Sequence, residues 1–263
     1  MTIPVLGVPV INGLSLLNRL VLSLNFPIEK LVFVHNRDAG QPNDIIAKRL
    51  AEIQHKPPLN VENVFIHTFQ SNLGCSAAWN TIILKHPSPW WLIANMDISF
   101  HSQTLQRIEM YVNRTLNNKV CVWPFSGYSL FGISVHSLNV VGTFDENFWP
   151  AYAEDCDYRT RVEQKIDQSV CTRTKKLHNI GVDHYGSSSY RLHPNSKLYR
   201  RVTLSGSGFN NFDYLIRKWG KNVCYGNYYG KHTGNQWTLD VERRIARGGS
   251  AECVACDMKN WSW

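Results

Sequence analysis

Trp90-Trp91-Leu92-Ile93-Ala94-Asn95-Met96-Asp97-Ile98-Ser99-Phe100 runs from an unbroken apolar stretch into a polar stop. A short continuous apolar run fits a strand buried on both faces, the kind found inside parallel sheets. Asn95-Met96-Asp97 ends it, and in an open α/β sheet ligands sit outside the carboxyl ends of the strands. A carboxylate at such a point is a candidate ligand for a hard, oxygen-loving cation such as Mg²⁺ or Mn²⁺. Read alone, Asp97 serves equally well as the N-cap of a following helix.

Upstream, the chain alternates between two periodicities. Val5 to Ile11, Leu31 to Val34 and Val61 to Thr68 read as strands. Between them, Leu14, Leu17, Leu20, Val21 and Leu24 share one helical face, Asp44 to Gln54 forms a second helix, and Asn72 to Leu84 a third. Strands and helices in this alternation imply βαβ units and a mostly parallel sheet. The first four strands then end on one side, gathering Asn12, His35 to Asp38, Asn72 and Asp97 around one crevice. Downstream, a helix over Leu105 to Leu116 precedes strands at Val120 to Trp123 and Ser129 to Val135.

Glu154, Asp155 and Asp157 open a further helix. Acids in a first turn are favoured by the helix dipole. Capping needs only one, however, and three within four residues repel each other, which points to an external purpose: a cation, or a proton to be taken. Ser205-Gly206-Ser207-Gly208 marks a junction. The expected organisation is a main domain over 1–204 and a C-terminal extension over 205–263 packed on it, with a short helix near Tyr214 to Trp219.

The bulk numbers narrow the class. The chain has 263 residues, 43% hydrophobic and 18% charged, as in an ordinary globular domain. A formal charge of +8 suits anionic ligands, but the Lys and Arg residues are dispersed. No basic block reads as a nucleic-acid arm. No apolar run is long enough to span a bilayer, although the basic balance and the tryptophan-rich tail are compatible with peripheral membrane contact. The N-terminus lacks a basic leader and a small-residue cleavage site. With seven cysteines, an odd number, the expectation is reduced thiols in a cytoplasmic protein. Cys253-x-x-Cys256 has no second pair of matching spacing to complete a zinc site.

Four pieces of the sequence, in order over roughly residues 3–191, resemble the family 2 glycosyltransferases, in particular their bacterial rhamnosyltransferase-like branch. Asn72 to Asn80 is similar to that family's Asn-x-Gly…Ala-x-Asn helix, and Asn95-Met96-Asp97 stands where the family has Asp-x-Asp. Gly142 to Phe148, followed by Glu154-Asp155-Cys156-Asp157, resembles its Gly-Phe-Asp-Glu…Glu-Asp-x-Asp signature. His184-Tyr185-Gly186-Ser187-Ser188 resembles its His-x-Gly-x-Ser motif. The resemblance implies a single-domain α/β fold of the GT-A type and an inverting, Mn²⁺- or Mg²⁺-dependent transfer. The donor would be a nucleotide-sugar, with UDP-hexose first and dTDP-rhamnose second; the acceptor would be a glycan or glycoconjugate hydroxyl. It implies metal ligation by Asp97 and His184 and a general base at Asp155, with Glu154 and Asp157 orienting the acceptor or the base. Donor contacts would fall to Asn12, Asn36, Asp38, Asn72, Asn80, Asn95 and Asp97. The chain departs from the pattern at the end of the second strand, where His35 takes the place of an Asp, and at Asn95. Two competing readings are a sugar nucleotidyltransferase, for which the first strand lacks a basic glycine-rich loop, and a non-catalytic glycan or nucleotide binder.

Overall fold

The Trp90–Ala94 stretch alternates between two cores. Trp90, Leu92 and Ala94 pack into one buried cluster, and Trp91 and Ile93 into the other. Successive side chains of a strand point to opposite faces, so a run that is apolar throughout must separate two layers of helices. The computed structural model describes residues 1–37, 44–174, 177, 179–186, 210–220, 240–247 and 249–255.

The chain folds as a mixed α/β unit around a seven-stranded sheet of order β3-β2-β1-β4-β7-β6-β8. The elements are β1 (Ile3–Val10), α1 (Leu14–Leu22), β2 (Ile28–Asn36), α2 (Ile45–His55), β3 (Val61–Phe69), α3 (Cys75–Lys85) and β4 (Trp90–Ala94). There follow β5 (Ile98–Phe100), α4 (Thr104–Thr115), β6 (Val120–Pro124), β7 (Leu130–Ser134), α5 (Val135–Val140), α6 (Glu154–Asp167), β8 (Thr172–Arg173) and β9 (Val182–His184). In the C-terminal part, α7 spans Asn211–Trp219 and α8 spans Val241–Ile245. Strands β1 to β4 are mutually parallel; β7 runs antiparallel to both β4 and β6.

Helices α1, α2 and α4 cover one face through Leu17, Leu20, Leu50, Ile53, Leu105 and Ile108. Helices α3, α5 and α6 cover the other through Trp79, Ile82, Leu138 and Tyr158. Helix α3 lies so close to β1 that a Cβ on Gly7 would run into the Ile82 side chain. Helix α3 begins at Cys75, not at Asn72. Gly74 at φ 93° breaks the helical path, and the Asn72 side chain instead accepts from the Gly74 N–H at 2.9 Å.

Two expectations are corrected. The chain after Asp97 does not enter a helix. It forms β5, and α4 starts only at Thr104 behind Gln103, so Asp97 caps nothing. The cysteines are not all reduced. Cys121 in β6 is bonded to Cys171, with Cα atoms 6.0 Å apart; Cys156 and Cys253 are disulfide-bonded, and Cys75 is free. The partners Cys121 and Cys171 stand 50 residues apart in sequence, and only the β6–β8 pairing brings them together. Disulfides persist mainly in oxidising compartments, which removes the ground for a cytoplasmic setting. Among the described residues, no helix is long and apolar enough to cross a membrane.

Candidate functional site

A cavity of about 270 Å³ opens at the carboxyl ends of β1, β2 and β4, where strand topology reverses between β1 and β4. One wall carries Val10, Ile11, Asn36, Asn72, Asn95, Met96 and Asp97; the other carries Tyr128, Pro150, Tyr152, Glu154 and Asp155. The described lining contains carboxylates, amides and a histidine, and no Lys or Arg.

Asp97 and His184 meet because β5 and β9 pair as a short antiparallel ribbon in which Ile98 opposes His184. The Asp97 carbonyl accepts from Tyr185 N–H at 3.0 Å and its Oδ1 lies 3.5 Å from His184 Nε2. The Asp97 side chain is 3% exposed and that of His184 31%, so the pair sits at the edge of the cavity with the imidazole towards the opening. A carboxylate and an imidazole in contact suit Mn²⁺ better than Mg²⁺, which prefers an all-oxygen shell. Among the described residues no cluster of three or more His, Cys, Asp or Glu is placed to hold a metal ion.

The three acids of α6 have different environments. Asp157 is fully buried and faces away from the cavity. Lys218 Nζ lies 2.5 Å from its Oδ1, Arg161 Nη2 2.9 Å from its Oδ2, and Trp219 Nε1 donates at 2.8 Å. It is an internally paired anion and is not part of the cavity lining. Glu154 lines the cavity. Burial and the neighbouring Asp155 push its pKa up to about 8, and the Cys75 thiol hydrogen-bonds to it. It is therefore mostly protonated at neutral pH. Asp155 also lines the cavity; burial raises its pKa, opposed by the Cys156 N–H, which donates to Oδ1 at 2.9 Å, and by Arg159. The repulsion expected from the sequence is relieved by pairing one acid and neutralising another.

Of the donor-side candidates, Asn36, Asn72, Asn95 and Asp97 line the cavity. Asn36 also ties the turn before α3 to β2: its Oδ1 accepts from Leu73 N–H at 3.2 Å and its Nδ2 donates to Gly74 O at 3.1 Å. Asn12 is buried beside the cavity but is not in its lining, which Ile11 provides. Asn80 is turned inward. It clasps Phe144 through both backbone groups and donates to Glu146 Oε1 at 2.8 Å, so it holds the Gly142 to Phe148 turn and is not in the cavity lining. Asp38 lies outside the described residues, as do Ser187 and Ser188. At the end of β2 the described carboxylate is Asp44, which caps α2 and lies 3.6 Å from His35 and 3.3 Å from Arg37.

Sequence reasoning passed over Cys75 and Trp79, which line the cavity one helical turn apart on α3. Their i, i+4 spacing beside Asn72 was the available signal. Tyr128 and Tyr152 come from turns and carried none.

No family model and no curated protein sequence matches the chain. Among solved structures, it is similar in fold to the mannosyltransferase PcManGT from Pyrobaculum calidifontis, in complex with GDP-Man and Mn²⁺. That match has a TM-score of 0.52 and 14% identity, and covers 81% of this chain and 64% of that one. A weaker likeness, TM-score 0.46 and 14% identity, is to S. aureus TarS 1-349 in complex with UDP, over 60% of this chain and 54% of that one. The chain thus spans less than two thirds of either structure.

Proposed function

We propose that this chain is a metal-dependent, inverting glycosyltransferase. It moves a sugar from a nucleotide-sugar donor, UDP-hexose first and dTDP-rhamnose second, to a hydroxyl of a glycan or glycoconjugate. The observation that carries this reading is the convergence of two chemistries on one cavity: Asp97 with His184, and Asp155 beside a largely protonated Glu154. The fold shared with PcManGT agrees with it.

A diphosphate entering a cavity lined by Asp97 and Asp155 meets like charge, which a cation entering with it would offset. Asp97 and His184 would hold Mn²⁺. When bound, the ion would stabilise the charge that develops on the departing diphosphate. Asn36, Asn72 and Asn95 offer amide hydrogen bonds along the donor wall. On the opposite wall, Asp155 takes the proton of the attacking hydroxyl, and its raised pKa makes it a stronger base than an ordinary aspartate. A neutral Glu154 adds no second negative charge beside it and can donate a hydrogen bond.

The test is thermal stabilisation by UDP-, GDP- and dTDP-sugars with and without Mn²⁺, because a ligand of the folded state alone raises the melting temperature. One nucleotide class should stabilise the protein only with Mn²⁺, and Asp97→Ala should abolish the shift. Asp155→Asn should keep the shift and lose transfer by about 10²–10⁴-fold. A shift that ignores Mn²⁺, or an Asp155→Asn variant with full turnover, would refute the assignment.

A further inference from the structure

Two consecutive non-glycine residues before α6, Tyr152 and Ala153, both have φ of 74°. Side-chain-bearing residues rarely adopt this left-handed region, and pairs of them persist only where the surroundings over-determine them. Here Tyr152 lines the cavity and Ala153 is the N-cap of α6, so the pair sets the direction in which α6 presents Asp155, two residues after Ala153.

The bonds that hold them come largely from the C-terminal extension. Four consecutive carbonyls of the wall are engaged. Trp149 O accepts from Arg247 Nη1 at 3.0 Å, Pro150 O from Cys75 N–H at 2.8 Å, and Ala151 O and Tyr152 O from Asn211 Nδ2 at 2.8 and 3.1 Å. Arg247 also donates to Asn211 Oδ1 and to Asn147 O. Asn211 and Arg247 are buried, and neither lines the cavity.

We propose that Asn211, fixed by Arg247, is a positioning residue for Asp155: its amide holds the left-handed Tyr152-Ala153 turn, so that the extension sets the aim of the catalytic wall without touching substrate. This rests on the transferase reading for its kinetic consequence. Asn211→Asp separates the roles, because it keeps the oxygen that accepts from Arg247 and removes the N–H groups that hold the two carbonyls. A small displacement of a reacting group costs up to about 100-fold in rate.

Steady-state kinetics of Asn211→Asp should show kcat lowered about 10–100-fold, with donor affinity within about twofold of wild type. Adding Ala153→Gly should restore most of kcat, because glycine adopts positive φ without a Cβ penalty. Hydrogen exchange over residues 150–158 should quicken in Asn211→Asp and slow again in the double variant. Unchanged kcat, a parallel loss of donor affinity, or no recovery with Ala153→Gly would each overturn the proposal. If the wild type transfers no sugar, the transferase reading fails. The exchange comparison then decides the positioning role alone: equal exchange in wild type and Asn211→Asp overturns it.

Discussion

Burial raises the carboxyl pKa of Asp157, but Lys218 and Arg161 outweigh it and hold the group below the usual carboxylate range. Such a pair is worth little against a well-packed apolar replacement, yet removing one member leaves the other buried and uncompensated. Asp157→Asn should therefore cost about 3–5 kcal/mol in urea unfolding; a loss under about 1 kcal/mol would show that the charges relax into water. At Glu154 the sign is opposite. Its folded pKa of about 8 stands above the ordinary glutamate value of 4.5, chiefly through burial. The folded state binds the proton more tightly than the unfolded chain, so this contribution is present in full below about pH 4.5 and is lost as pH rises towards about 8. The groups acting on it are Asp155 from its own helix and Cys75 from α3. Glu154→Gln, which stays neutral, should flatten the decline in melting temperature over that window. An unchanged slope would mean that Glu154 titrates as an exposed acid.

At the scale of elements, the α3–β1 contact is the tightest constraint behind the site. Gly7→Ala would drive a methyl group into Ile82, and overpacking of this kind costs about 1–3 kcal/mol; chemical denaturation measures it, and a neutral outcome would show that α3 can retreat from the sheet. The elements that read well from the sequence were those with enough residues to show a period. Trp90 to Ala94 matched β4 at both ends, and the helices before it were placed within a few residues. What escaped was short. Strands β5 and β9 have three residues each, too few for any periodicity. They exist through pairing with each other, and that pairing is what puts His184 beside Asp97. The resemblance that linked the two residues thus carried information that local pattern could not. It did not foretell the surroundings of Asp157 and Asn80, whose partners Lys218, Trp219 and Phe144 become neighbours only when the chain closes. A motif records which residues recur, not which way each one faces.

For the molecule as a whole, several cations of the extension face inward. Lys218, Arg244 and Arg247 are buried, and Arg243 lies over the Tyr214 ring at 3.9 Å while donating to Asn147 O. These cations meet the turn between α5 and α6. Lys218 lies 2.8 Å from Asp145 Oδ2, Arg244 donates to Glu146 O and to Leu73 O, and the Val254 and Ala255 N–H groups donate to the Glu146 carboxylate at 2.9 Å. The described partners from the extension also include the Asp157 cation Lys218. Dividing the chain at 204 and 205 therefore marks a change of sequence texture but cuts through one polar network. Expressed alone, residues 1–204 would lack Lys218, which pairs with Asp145 and Asp157, and the two N–H donors of the Glu146 carboxylate. The truncation also uncovers Phe148 and Ala153, which pack against Leu215 and Trp219, and a domain has only about 5–15 kcal/mol of total stability to lose from. The fragment should accordingly fail to show a cooperative melting transition, and adding residues 205–263 in trans should restore one only if the two pieces reassemble. A 1–204 fragment that melts cooperatively near the full-length temperature would mean that the extension rests on a finished domain, and the wall around Asp155 would then owe its shape to the main domain alone.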